Sequence, residues 1–179
     1  PDNKVDALAE LHIVPVAISY EWEPCDILKA LELYERKLTG RYAKKPGDDV
    51  NSILTGITQP KGRVHLHFCE PLRQEELARY DGCTQGDFHR AVARLIDRRI
   101  HRAYCLMPNN YIAHDLRYGR SEYAGRYTSG EKTAFLRHLE ALRPYEESCD
   151  PELLADLLLG IYANPVDSAL NDEASQSLY

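Results

Sequence analysis

The sequence predicts an α/β fold in which about two strands are followed by a mainly helical region. Two stretches carry this prediction. Residues Ile13 to Ser19 form an apolar run of strand length, and residues Arg63 to Cys69 alternate between apolar and polar side chains. After Pro71, apolar residues recur at helical spacing, as in 86–106. We therefore expect two strands, with helices between them and after them.

The first predicted strand is continuously apolar rather than alternating. Continuous runs are typical of strands covered on both faces, as in parallel α/β sheets. Pro15 has no backbone N–H to donate to a neighbouring strand, so we expect an edge position or irregular pairing there. Because helical segments separate the two strands, the order strand–helices–strand favours a right-handed parallel crossover.

The helical segments divide the remainder of the chain. Asp26, Thr128 with Glu131, and Asp150 are expected to cap helices that follow them. The segments that predict helices are 2–11, 25–38, 49–58, 86–106, 131–142 and the stretch opening at Pro151. We expect three regions: the C-terminal part of an α/β domain over 1–75, a helical extension over 76–166, and a disordered polar tail over 167–179.

Composition excludes several classes of protein. The net charge of -6 and the pI near 5.6 argue against a nucleic-acid partner, which usually requires a basic surface. Five scattered cysteines without a C-x-x-C pair indicate reduced thiols in the cytoplasm. We see no signal peptide and no apolar run near the roughly 18 residues that span a bilayer.

The number of strands poses a problem. Two strands alone are rarely stable, and they cannot provide a position that is covered on both faces. The chain also begins with Pro1 rather than with Met. We therefore expect the remaining strands to lie N-terminal to Pro1 in a longer protein.

Five stretches together resemble one protein family. Residues 14–19 read VPVAIS, residues 20–26 read YEWEPCD, and residues 61–72 read KGRVHLHFCEPL, with Cys69 where the family usually has glycine. Residues 107–113 read MPNNYIA and 162–166 read YANPV. This set, in this order, resembles the 1-acyl-glycerol-3-phosphate (lysophosphatidic acid) acyltransferases of bacteria, and it touches most of the chain.

The resemblance implies acyl transfer in phospholipid synthesis, without a cofactor. The donor would be acyl-CoA or acyl carrier protein, and the acceptor a lysophospholipid or another glycerol phosphate. In this family the histidine of an N-H-x4-D motif is the general base, and an E-G-T-R segment supplies the arginine that holds the acceptor phosphate.

The chain lacks both motifs. None of its seven histidines is followed five residues later by aspartate, and no E-G-T-R segment occurs. We therefore expect no catalytic residue here and no activity from this chain alone. The catalytic groups would lie in the remainder of the domain, N-terminal to Pro1.

Polar residues follow the first predicted strand directly. Ligands of open α/β sheets bind beyond the carboxyl ends of strands. We predict that Pro15, Val16, Ser19, Tyr20 and Glu21 line the substrate site. The alternative is a solvated connection between strand and helix.

A second candidate surface lies on the helix over 86–106. Arg90, Arg94, Arg98 and Arg102 make one side of this helix basic and oppose an apolar side. Basic amphipathic helices bind anionic membranes or acidic carriers. We predict such a contact, with the protein peripheral at the inner face of the cytoplasmic membrane; the alternative is a solvated face.

Two alternatives of other classes stay open. The chain could be a non-catalytic binding module derived from the same fold, which predicts cooperative unfolding of 1–179 alone. The fragment interpretation instead predicts exposed apolar surface along Ile13 to Ile18. His65, His67 and Cys69 share one strand face and could ligate zinc. Because no fourth ligand cluster lies nearby in the sequence, we predict no metal site.

Overall fold

The computed structural model describes residues 3–176, and these residues form two short strands and a majority of helix. The strands are β1 (Val16–Tyr20) and β2 (Val64–Phe68). The helices are α1 (Lys4–Ala9), α2 (Asp26–Thr39), α3 (Asp48–Thr58), α4 (Gln74–Ala78), α5 (Gln85–Arg102), α6 (Pro108–Arg117), α7 (Ser129–Leu139) and α8 (Pro151–Gln176), with 3₁₀ turns at Ala124–Arg126 and Glu140–Tyr145. The mixed α and β content agrees with the expected fold class at this coarse level.

The chain divides into two compact units, each assembled from separate segments. The first unit comprises His65–Cys105 and the described parts of 1–19 and 168–179. The second unit comprises Tyr20–Val64 and Leu106–Asp167. The predicted regions 1–75 and 76–166 are each continuous in the sequence, whereas each compact unit combines segments from both regions.

The two strands pair antiparallel, and the expectation of a parallel crossover is wrong. In the first unit the N–H of Cys69 donates to the carbonyl of Pro15 at 2.9 Å. In the second unit the N–H of Trp22 donates to the carbonyl of Lys61 at 3.0 Å. The two helices predicted between the strands both form, and the crossover rule describes a connection through a single helix. A pair of helices returns the chain to the strand end that it left, and β2 then runs back along β1.

The strand faces also differ from the prediction. The second strand forms where it was predicted, but its burial does not alternate: Leu66 is 51% and Phe68 68% exposed, His67 is exposed as well, and only His65 is half-buried. In β1 only Ala17 is buried, whereas Val16 and Ile18 are 36% and 48% exposed. Burial of β1 on both faces is therefore wrong for this chain. The exposed apolar surface near Ile13–Ile18 is what the fragment interpretation predicts.

The core of the first unit is small. It consists of Val5, Leu72, Leu77, Phe88 and Val92, which come from α1, α4, α5 and the segment after β2. Helix α5 begins where Thr84 accepts a hydrogen bond from the N–H of Asp87. This helix supplies the largest buried side chain of the unit, Phe88.

The core of the second unit is larger and entirely helical. Its buried members are Ala30, Ile112, Ala113, Phe135, Leu142, Leu154, Leu158, Tyr162 and Ala163. The predicted helix caps are confirmed in α7 and α8. The Thr128 hydroxyl and the Glu131 carboxylate form a reciprocal capping box, and Asp150 accepts from the N–H groups of Glu152 and Leu153.

Helix α8 is longer than the sequence predicts. It continues past Asp167, where we expected a disordered tail, and 177–179 lie outside the described residues. Its segment Pro151–Leu170 is long and apolar enough to cross a membrane by length and composition, with a mean hydropathy of 1.2. The expectation that no segment reaches this length is corrected accordingly. Leu154, Leu158 and Tyr162 of α8 belong to the core, which is also typical of a buried helix in a soluble protein.

Candidate functional site

The predicted substrate-site residues of the first unit have backbone and packing roles. Pro15 is buried and lies just before β1, where its carbonyl accepts a bond from β2. Val16 belongs to the exposed apolar face. The hydroxyl of Ser19 accepts a hydrogen bond at 3.0 Å from the N–H of Cys105, beyond the end of α5. Ser19 therefore anchors the segment that follows α5.

Glu21 is held by the turn that precedes β2. Its carboxylate accepts bonds from the N–H of Arg63 at 2.9 Å and from the Arg63 guanidinium at 3.0 Å. The guanidinium bond and the backbone N–H outweigh partial burial and lower the pKa of Glu21 below its ordinary value. Tyr20, which precedes it, is half-buried. Glu21 is thus ionised at neutral pH.

Gly62 makes this arrangement sterically feasible. Its φ is +61°, in the left-handed region that favours glycine. A Cβ at this position would lie 2.5 Å from Oε2 of Glu21 and 3.0 Å from Cδ1 of Trp22. The backbone at Gly62 must therefore approach both side chains closely.

A buried polar cluster of the second unit surrounds Asp26. Asp26 is the first residue of α2 and is only 4% exposed. Its Oδ2 accepts from the Tyr162 hydroxyl at 2.6 Å and lies 2.5 Å from Nε2 of His138. Its Oδ1 accepts from the N–H of Ile27 at 2.7 Å. The sequence predicted a helix cap here, but the structure uses Asp26 chiefly to join α2, α7 and α8.

Tyr162 remains a hydrogen-bond donor in this cluster. Burial and the neighbouring Asp26 carboxylate raise the pKa of its hydroxyl far above the ordinary tyrosine value. The same oxygen accepts the N–H of Glu23 at 3.1 Å. The hydroxyl is therefore protonated at physiological pH and connects α8 to the segment between β1 and α2.

Aromatic rings enclose one side of the cluster. The Trp22 ring lies with its centroid 4.8 Å from that of His138 and 6.0 Å from that of Phe135. Phe135 in turn packs edge-on against Tyr162 at 5.2 Å. These contacts fix the orientation of the His138 imidazole, in addition to its bond with Asp26.

A cleft of about 650 Å³ borders the cluster within the second unit. Its walls include Trp22, Glu23, Cys25, Asp26, Thr55, Gln59, His138 and Tyr145. An imidazole that is oriented by a buried carboxylate and faces a cleft can accept or donate a proton. The sequence did not single out His138, and it singled out Tyr162 only as part of the stretch 162–166; residues 112 and 136 positions from Asp26 share no local pattern with it.

The motif residues of α6 have structural partners. The Asn110 side chain accepts from the N–H of Met107 and donates to the carbonyl of Tyr162 at 2.8 Å. The amide of Asn109 donates to the carbonyl of Glu21 at 2.6 Å. The MPNNYIA stretch that carries part of the family resemblance therefore joins α6 to α8 and to the end of β1.

The arginines predicted to contact a membrane or carrier are solvent-exposed in the first unit. Arg90 pairs with Asp87 at 2.6 Å within α5. Arg94 and Arg98 lie on the exposed side, opposite Phe88 and Val92 of the core. The structure thus places a basic helical face in solvent without exposed apolar side chains beside it on this helix.

The histidine face of β2 has no metal-site arrangement. The rings of His65 and His67 lie 6.3 Å apart, and the buried Cys69 thiol points to the carbonyl of Arg99 at 3.6 Å. Among the side chains that the structure describes, those of residues 3–170, no group of three or more from His, Cys, Asp or Glu is placed to hold a metal ion.

Another cleft, of about 780 Å³, adjoins these residues in the first unit. Its central feature is the Arg99–Glu76 pair, in which Nη2 of Arg99 bonds both carboxylate oxygens at 2.9 and 2.7 Å. Burial opposes the charged form of Glu76, but bonds from the N–H of Arg73 and from Arg99 lower its pKa overall. The pair fixes α5 to α4.

Comparison of the chain with models of protein families, with curated proteins and with solved structures finds no match.

Proposed function

We propose that the chain is the C-terminal part of an enzyme similar to the lysophosphatidic acid acyltransferases. Such an enzyme transfers an acyl group from acyl-CoA or acyl carrier protein to a lysophospholipid or glycerol-phosphate acceptor. The support is the ordered set of sequence stretches described above. One structural observation also supports the proposal: the two-stranded sheet has an exposed apolar face that further strands and helices could cover.

That face is suited to burial. In the first unit it comprises Val14, Val16, Ile18, Leu66 and Phe68, which are between 36% and 68% exposed. Burying a side chain of this kind is worth about 1.5–3 kcal/mol. A sheet of two strands with one bare apolar face is marginal by itself. We infer that strands and helices N-terminal to Pro1 complete the sheet and cover this face.

The proposal divides the chemistry between two parts of the enzyme. The preceding part supplies the histidine base, its aspartate and the phosphate-binding arginine. The present chain supplies Ser19, Tyr20 and Glu21 at the end of β1, with Pro15 and Val16 before them, as one wall of the substrate site. Within the second unit, the network of Asp26, His138 and Tyr162 bonds the segment that follows Glu21, because the Tyr162 hydroxyl accepts the N–H of Glu23.

The proposed enzyme works at the cytoplasmic side of the membrane as a peripheral protein. Its acceptor is a lipid and its donor is water-soluble, so the active site must meet both phases. The long apolar segment of α8 is compatible with membrane association, but it also serves the core of the second unit.

The alternative, a non-catalytic binding module, is favoured by one observation. The Asp26–His138 pair borders a cleft formed by the second unit alone, so a ligand could bind there without other residues. The alternative predicts that residues 1–179 unfold in one cooperative transition. It also predicts no acyl transfer when the residues preceding Pro1 are present.

An acyl-transfer assay tests the proposal with two proteins. One is residues 1–179, and the other carries in addition the residues that precede Pro1 in its gene. We expect turnover of acyl-CoA, or of acyl carrier protein, with lysophosphatidic acid only in the longer protein. Turnover by 1–179 would contradict the absence of catalytic residues from this chain. No turnover by a folded longer protein with either donor would contradict acyl transfer itself.

A dye-binding measurement tests the exposed face separately. Residues 1–179 should enhance the fluorescence of 1-anilinonaphthalene-8-sulfonate, and the double variant Ile18→Thr/Phe68→Thr should reduce the enhancement severalfold. The matched control is Leu38→Thr, because Leu38 is 63% exposed and belongs to α2 rather than to the sheet. An equal reduction by the control would contradict a continuous apolar face on the sheet.

A further inference from the structure

One side of helix α3 carries a row of neutral polar side chains. Asn51, Thr55 and Gln59 occupy the positions i, i+4 and i+8, which places them on the same side of the helix and of its C-terminal cap. All three line the cleft of about 650 Å³ that borders the Asp26 cluster. Their side chains make no hydrogen bond to another residue within the part of the chain that the structure describes. Their amide and hydroxyl groups are therefore available to a ligand in the cleft.

His138 contributes a further open hydrogen-bonding atom to the same cleft. Its Nε2 lies 2.5 Å from Oδ2 of Asp26, and a carboxylate accepts hydrogen bonds rather than donating them. The proton between them therefore belongs to Nε2, which leaves Nδ1 of the neutral imidazole as an acceptor. Nδ1 makes no hydrogen bond to any of the described residues, and 30% of the His138 side chain is exposed. This nitrogen can accept a hydrogen bond from a ligand hydroxyl.

The charges at this cleft are already compensated within the second unit. The Glu23 carboxylate pairs with the ammonium of Lys29 at 2.9 Å. Asp26 is buried, and its carboxylate is engaged by His138 and Tyr162. Among the described residues that form the walls, none is Lys or Arg. A phosphate or carboxylate ligand would therefore find no cation in the walls, and a cationic ligand would find both carboxylates paired.

We propose that this cleft binds a small uncharged molecule that carries several hydroxyl groups, namely a sugar or another polyol. A hydroxyl group both donates and accepts hydrogen bonds, and so do the amides of Asn51 and Gln59 and the hydroxyl of Thr55. These three side chains bind hydroxyls along one edge of the ligand. Nδ1 of His138 accepts a hydrogen bond from a further hydroxyl.

The size and the aromatic walls of the cleft also suit such a ligand. Its volume of about 650 Å³ lies within the roughly 300–1,000 Å³ that is typical of small-molecule sites. Such sites combine aromatic side chains with a few fixed polar groups. Trp22 and Tyr145 supply the aromatic side chains here, and the carbon-bound hydrogens of a polyol would pack against them.

The inference does not rest on acyl transfer, and it gives the binding-module alternative a class of ligand. An anionic substrate such as a glycerol phosphate or acyl-CoA is unsuited to this cleft for the reason of charge given above. The acyl-transfer assay requires the longer protein, whereas binding to this cleft is measured on residues 1–179. Failure of either experiment therefore leaves the result of the other unchanged.

Tryptophan fluorescence tests the inference directly, because Trp22 is the only tryptophan of the chain and lines the cleft. Residues 1–179 are titrated with glucose, myo-inositol and glycerol, and separately with inorganic phosphate and with tetramethylammonium. We expect a saturable change in Trp22 fluorescence with at least one of the three polyols and no saturable change with either ion. Saturation by an ion, or by none of the polyols, would overturn the inference.

Exposed amides allow a second test that does not disturb the core. Asn51→Ala and Gln59→Ala should each weaken polyol binding about two- to tenfold, which is the effect of one lost hydrogen bond. His138→Ala should weaken it at least tenfold. The matched control is Gln85→Ala, an exposed amide of α5 in the first unit, which should bind as the parent does. Unchanged binding in both α3 variants, or equal weakening in the control, would place the polyol elsewhere and overturn the inference.

Discussion

At the scale of single residues, Gly62 offers the sharpest test of the turn before β2. Gly62→Ala adds a Cβ at φ +61° and within 3.0 Å of Glu21 and Trp22. Gly119 provides a matched control because its φ is also +61° and nothing lies within 4 Å of the position of a Cβ. We expect both variants to lose about 1 kcal/mol from backbone strain. Gly62→Ala should lose about 1–2 kcal/mol more from crowding. Equal losses in denaturant unfolding would contradict the close approach.

Glu21 makes a pH-dependent contribution to stability. Its pKa in the folded protein is lower than the ordinary value of 4.5, so its stabilising contribution is complete above that pH. The contribution is lost as the pH falls through the lowered pKa. Glu21→Gln should therefore cost about 1 kcal/mol at pH 7 and progressively less below pH 4.5. Urea unfolding across pH 3–7 measures this cost. The control is Glu70→Gln, because the ion pair of Glu70 with Arg73 is exposed and its N–O distance is 3.5 Å. A pH-independent cost would be the contrary result.

At the scale of elements, the Asp26 cluster determines how α2, α7 and α8 are joined. Tyr162→Phe removes the donor to Asp26 and leaves the N–H of Glu23 without its acceptor. Leaving the Glu23 N–H unpaired costs about 1–3 kcal/mol, and Asp26 keeps His138 but loses one donor. Tyr118→Phe is the control, since Tyr118 is 44% exposed and bonds Asp167 near the surface. We expect the midpoint of thermal unfolding to fall clearly for Tyr162→Phe and very little for Tyr118→Phe. Equal decreases in the unfolding midpoint of the two variants would contradict the role of the Asp26 cluster in joining these helices.

Elements were predictable from the sequence where the signals are local. The starts of α7 and α8 were predicted from Thr128 with Glu131 and from Asp150 with Pro151. Capping could be predicted because it depends on residues two or three positions apart. The antiparallel pairing of β1 with β2 was not predictable in this way. Both connecting helices were predicted, but the direction in which they return the chain depends on how they pack, and the sequence pattern does not give that.

The candidate site was less predictable than the fold. Asp26 was identifiable as a polar residue at a helix start, but its partners His138 and Tyr162 are distant in sequence. Their proximity results from packing of α7 and α8 in a common core. Glu21 follows β1, whereas Ser19 lies within it, and their observed partners are Arg63 and Cys105. Their part in a substrate site stays a proposal.

At the scale of the whole molecule, apolar surface is left uncovered in two places. The sheet face around Ile18 and Phe68 belongs to the first unit, and the exposed stripe of α3 around Ile53 and Ile57 belongs to the second. We propose that the first is covered by the part of an α/β domain that would precede Pro1. This proposal explains why large aliphatic side chains of the sheet are in contact with water in this chain.

The most direct test of the central claim is to read the coding DNA immediately upstream of the Pro1 codon. Our account predicts an open reading frame that encodes N-H-x4-D and then E-G-T-R, with strands enough to complete the sheet. That result would make this chain the C-terminal part of an acyltransferase. A start codon directly before Pro1, with no such segment, would contradict the account and leave the binding module as the better description.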